Sequence, residues 1–134
     1  MASHHPQKRL VGPLGRARGL GSAKHGLQHW WAQRVTAIAL VPLTLWFVFS
    51  VSVRLVGADQ TRVHDWLSRP ATAILMSLFI VATFYHLALG VQVVIEDYVH
   101  REGVKLTSLL LVKGLIVLIA AAALFTVLRV AVGS

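Results

Sequence analysis

Three long apolar stretches, separated by short polar segments, dominate the chain. Val35 to Val53 holds 19 uncharged residues between Arg34 and Arg54. Ala71 to Ile95 is charge-free and ends directly in Glu96, Asp97 and Tyr98, and Leu106 to Leu128 is interrupted by Lys113 alone. At 1.5 Å rise per residue, a 19-residue helix reaches about 28 Å, close to the hydrocarbon thickness of a bilayer. The pattern predicts an all-α membrane protein with three transmembrane helices, over approximately residues 31–56, 70–98 and 106–132. Ahead of them, residues 1–28 read as a basic, flexible tail, which leaves 29–134 as the three-helix membrane domain.

Composition agrees: 56% of the 134 residues are hydrophobic and only five are acidic, too apolar a balance for an ordinary soluble domain. Cysteine is absent, so this chain supplies no disulfide, thiolate metal site, iron–sulfur cluster or covalent c-type haem attachment. A redox centre held here must use histidine. The first 25 residues carry Lys8, Arg9, Arg16, Arg18 and Lys24 with no acid, a composition suited to an anionic membrane surface. Such a segment is unlike a secretory signal, whose apolar core is shorter than Val35 to Val53, so the first span is read as retained.

Charge then orients the spans. Nine basic residues (Lys8, Arg9, Arg16, Arg18, Lys24, Arg34, Arg101, Lys105 and Lys113) fall on the amino-terminal side, against Arg54, Arg62, Arg69 and Arg129 on the other. The positive-inside rule places the amino terminus and the second loop on the cytoplasmic or matrix side. Trp30 and Trp31 fall at the inner interface and Trp66 at the outer one, where amphipathic rings prefer to lie. Pro42 predicts a bend in the first helix. Lys113 and Arg129 read as snorkelling ends.

His86 is the ionisable group deepest in any span, and such groups are costly enough at bilayer depth to point to a ligand, a relay or a substrate contact. Phe79, Ala82, His86, Gly90, Val93 and Asp97 fall within about 40° of one line on a helix. A glycine one turn from a histidine leaves room for a flat macrocycle, as a haem ligand requires. The alternative is that His86 bonds a neighbouring helix and Gly90 permits close packing. A six-coordinate haem would need its second ligand from another chain. His4, His5, His25, His29, His64 and His100 are assigned no role. Arg34 returns to the side of Asp97 and Tyr98, where a guanidinium, a carboxylate and a phenol are suited to a quinone carbonyl and its protons. Snorkelling and an interfacial tyrosine belt are the alternative there.

The run Phe84-Tyr85-His86-Leu87-Ala88-Leu89-Gly90-Val91-Gln92-Val93-Val94-Ile95-Glu96-Asp97-Tyr98-Val99, with Gln33-Arg34-Val35-Thr36-Ala37 in the first span, resembles the hydrophobic membrane anchor subunits of succinate dehydrogenase, the cytochrome b-type anchors of respiratory complex II. The resemblance covers roughly Trp30 to the end. Its specific part is His-x3-Gly followed by Asp-Tyr at the end of the same helix. It implies a heterodimeric helical anchor bundle in which a second membrane anchor subunit gives the other ligand to haem b. An iron–sulfur subunit and a flavoprotein subunit would perform succinate oxidation.

By that resemblance His86 ligates the haem iron and Gly90 makes room for the porphyrin. Tyr98 hydrogen-bonds ubiquinone, Asp97 supports that site, and Arg34 lies near the haem propionates or the quinone pocket. The chain alone is then no enzyme. It sits in lipid in a bacterial cytoplasmic membrane, with a mitochondrial inner membrane the lesser alternative, and binds no nucleic acid. Gln28 and His29 fall where related anchors vary, so no role carries over to them. Some anchors of the wider family bind quinone without haem, and His86 argues against that variant. An anchor of a quinol:fumarate reductase shares the architecture, while a small structural or assembly protein would hold no cofactor.

Overall fold

The computed structural model describes residues 23–133. The cations expected in a basic tail, from Lys8 to Arg18, lie outside the described residues. Helix α1 covers Ala23–Ser50 and continues through a π-helical turn at Val51–Leu55. A short helix α2 covers Gln60–Ser68, α3 covers Pro70–Tyr98 and α4 covers Glu102–Val132. Three of these stretches, His25–Leu55, Pro70–Tyr98 and Glu102–Val132, are long and apolar enough to cross a membrane. Each would measure about 44–47 Å, so its ends emerge from the hydrocarbon into the headgroup layers.

Helices begin earlier than the apolar runs, because a helix satisfies its own backbone whether its side chains are apolar or polar. Thus α1 takes in Gln28 and His29, and α4 takes in Glu102 and Lys105. Pro42 lies inside α1 with helix on both sides. The loop after α1 turns at Gly57, whose φ of +72° favours a residue without Cβ. Asp59 then caps α2, its Oδ1 accepting the Arg62 N–H at 3.0 Å. Pro70 starts α3, where a missing N–H costs nothing.

The chain forms two compact units, one ending at Trp31 and the other beginning at Ala32. In the first, the Trp30 and Trp31 rings meet edge to face at 5.4 Å. In the second, α3 and α4 pack most closely. Their shared core is Ala73, Ile80 and Val127, with Met76, Phe84, Ala123 and Leu124 against it. Ala73 and Ala123 in this cluster let the backbones approach, a common basis of helix association in lipid, with larger apolar side chains filling the rest. Helix α1 joins through larger rings: Phe47 stacks on Phe79 at 5.0 Å, and Trp46 stacks on the buried Trp66 of α2 at 6.0 Å.

Thr36 and Phe47 share one face of α1, while Ile38, Leu45 and Phe49 fall on the opposite face. On that opposite face Ile38 is 71% exposed and Leu45 67%. Exposed apolar surface on this scale fits lipid or another membrane helix and is costly in water.

Candidate functional site

His86 lies within α3, sixteen residues after Pro70 and twelve before Tyr98. Its ring is half-buried between α3 and α1. His86 Nδ1 is 2.9 Å from Thr36 Oγ1. The same Thr36 oxygen is 2.7 Å from the Ala32 carbonyl and 3.1 Å from that of Gln33.

A hydroxyl has one proton to give. Directed at the nearer carbonyl, Ala32 O, it leaves the Thr36 oxygen with lone pairs only, so Nδ1–H donates and Thr36 accepts. The imidazole is then the Nδ1–H tautomer, and its Nε2 carries a free lone pair. This is the arrangement metal-bound histidines use, in which the non-ligating nitrogen donates to a fixed acceptor.

An open apolar groove of about 440 Å³ runs beside the ring, lined by Ala37, Leu40, Val41, Thr44 and Leu45 of α1 together with His86. One turn beyond His86, a Cβ added at Gly90 would meet nothing within 4 Å. The donor set and the space therefore fit one edge of a haem: a single nitrogen ligand, apolar walls and an unfilled position at the glycine. Among the described residues no group of three His, Cys, Asp or Glu side chains gathers, so a bare metal ion has no chelating set there.

The other expected site residues are spread along the membrane normal. Asp97 and Tyr98 close α3, both exposed, Tyr98 by 80%. Tyr98 is about 18 Å along the helix from His86. Because Thr36 is level with His86 and α1 runs antiparallel to α3, Arg34 is about 3 Å from the His86 level. Asp97 is about 16 Å from it in the same direction. Arg34 and Asp97 thus lie in the same direction from His86 but at different depths, so the structure does not bring them together.

Sequence reasoning missed two features. Thr36 is the first. The second is a polar chain between α4 and α3, in which Lys113 Nζ donates to Gln92 Oε1 at 2.7 Å and Gln92 Nε2 donates to Glu96 Oε1 at 2.8 Å. Lys113, read as a snorkelling end, has a protein partner. The signal available was a lone cation in one span facing a lone amide in another, each needing a partner in lipid.

Residues 8–128 match the family described as "Succinate dehydrogenase/Fumarate reductase transmembrane subunit". The succinate dehydrogenase hydrophobic membrane anchor subunit of Paracoccus denitrificans is 38% identical over 90 residues, 67% of this chain and 69% of that one. Its counterpart in Rickettsia bellii is 37% identical over 98 residues, 73% of this chain and 78% of that one. The succinate dehydrogenase membrane anchor subunit of Reclinomonas americana is 35% identical over 92 residues, 67% and 77% of the two chains. With its three apolar spans, the chain belongs to the succinate dehydrogenase/fumarate reductase transmembrane subunit family, as a non-catalytic membrane anchor subunit.

Proposed function

We propose that this anchor co-ligates haem b through His86 Nε2 and contributes Tyr98 and Asp97 to a ubiquinone reduction site, within a succinate:quinone oxidoreductase. The observation that carries the reading is the 2.9 Å contact of His86 Nδ1 with Thr36 Oγ1. A histidine used only to bridge helices would also make this bond. Ligation is favoured by what lies beyond it: a free Nε2, an apolar groove and open space at Gly90.

When bound, haem supplies one-electron transfer chemistry. This chain's residues would position and insulate it. Thr36 fixes the imidazole tautomer, and Ala37, Leu40 and Val41 keep water from that side. Arg34, close to the His86 level, suits the charge of a propionate better than a quinone at the Tyr98 level. A second membrane anchor subunit would close the groove and give the other axial ligand.

At the α3 terminus, the Tyr98 hydroxyl would donate to a quinone carbonyl, and the Asp97 carboxylate would hold a proton beside it. A flavoprotein subunit and an iron–sulfur subunit would deliver electrons from succinate to this end. The location is a bacterial cytoplasmic membrane, with this end and the basic tail, residues 1–28, on the cytoplasmic side and 29–134 as the anchor domain. Replacing His86 with leucine tests the central assignment: haem should be lost or spectrally altered while the partner subunits still co-purify.

A further inference from the structure

At the opposite end of the bundle, Arg54, Arg62 and Arg69 line one cleft of about 370 Å³ with Val53, Asp65 and Trp66. They come from three places: Arg54 from the π-helical turn ending α1, Arg62 from α2, and Arg69 from the residue before α3. Among the described residues no ion pair joins Asp65 to any of these three guanidiniums. Three cations against one carboxylate leave a net charge of +2, and such a cluster repels itself unless an anion joins it.

The cleft is held in place. Trp66 is 7% exposed and stacks on Trp46 of α1, and α2 packs against α3 and α4. The register set by Thr36 and His86 makes Arg54 level with Arg69 to within about one residue rise, about 27 Å from His86. That level is the membrane boundary, where apolar helix gives way to polar chain. By the charge count this end is the one poor in cations, yet three of its four basic residues meet here.

We propose that this cleft binds the phosphate of an anionic phospholipid. Guanidinium forks match phosphate oxygens in pairs. A lipid is favoured over free phosphate because Val53 of the cleft wall and Phe49, one turn deeper on the same face of α1, are both exposed, a path for an acyl chain beside the headgroup. Trp66 closes the cleft at the depth interfacial tryptophans occupy.

The test is native mass spectrometry of the whole detergent-solubilised complex, comparing wild type with Arg54→Gln/Arg69→Gln, followed by thermal unfolding in nanodiscs of phosphatidylcholine with and without phosphatidylglycerol. Each arginine near an anionic headgroup is expected to contribute about fivefold in affinity, so the double variant should hold the lipid about 25-fold more weakly. Wild type should be stabilised by phosphatidylglycerol and not by inorganic phosphate, and the variant by neither.

Equal lipid retention by the two proteins would overturn the proposal. So would equal stabilisation of wild type by inorganic phosphate, which would make this a free-anion site. Loss of a protein subunit from the double variant in place of lipid would also overturn it, assigning the arginines to a protein contact. Arg62→Gln alone, on exposed α2, should show the same lipid defect at about fivefold.

Discussion

Thr36 on α1 and His86 on α3, 50 residues apart in sequence, meet at 2.9 Å through Oγ1 and Nδ1. The bond occupies Nδ1, and the same residue lines the apolar groove beside α1. Replacing Thr36 with valine keeps the shape and removes the acceptor. Without it the ring donates less electron density to iron, so the ferrous form gains and the haem potential should rise, by on the order of 59 mV for a tenfold change in a one-electron couple. Serine at this position should restore the wild-type value. A potentiometric titration of the three complexes reads this directly, and an unmoved potential in Thr36→Val would show that the hydroxyl does not act on the ligand.

Gly90 offers a steric test that the chain itself does not confound. Since a Cβ there meets nothing within 4 Å, Gly90→Leu should leave the helices and subunit assembly intact while excluding the porphyrin. Haem-to-protein ratio falling to near zero with all subunits present is the expected result. Full haem content would mean that the group lies elsewhere.

Tyr98 is placed where its hydroxyl is exposed and its ring is not part of the core. Tyr98→Phe should lower succinate-dependent quinone reduction about tenfold, the value of one hydrogen bond of about 1.4 kcal/mol. Succinate oxidation by a soluble artificial acceptor should be unchanged. Equal loss of both activities would make the tyrosine structural.

The Lys113–Gln92–Glu96 chain predicts an asymmetry in stability. Gln92→Leu leaves an ammonium in an apolar setting without its acceptor, at a cost of about 1–3 kcal/mol, whereas Lys113→Met removes the need for that acceptor. The double variant should therefore be more stable than Gln92→Leu alone, as thermal unfolding of the complex will show. Strictly additive losses would mean that the 2.7 Å contact carries no coupling.

The three spans were legible because lipid demands long uninterrupted apolar runs, and His86 stood out because an imidazole inside such a run needs a reason. Thr36 was not legible. Threonine is common in membrane helices, and its pairing with His86 depends on the register of two helices that a linear pattern does not carry. Register also separates Arg34 from Asp97 in depth, which a linear pattern does not carry. Helix α2 was missed because it is short and half polar, and its formation rests on the Asp59 cap and the Trp46–Trp66 stack. In sequence Gln92 is one polar residue among several, and only the packing of α4 on α3 brings Lys113 to it.

Whether His86 holds haem iron is read from the dithionite-reduced minus oxidised visible spectrum of the solubilised complex, wild type beside His86→Leu, with subunits identified in each sample. Ligation by His86 gives a b-type signal in wild type that is lost or altered in the variant, with flavoprotein and iron–sulfur partners retained in both. An identical b-type signal in the two samples would contradict it.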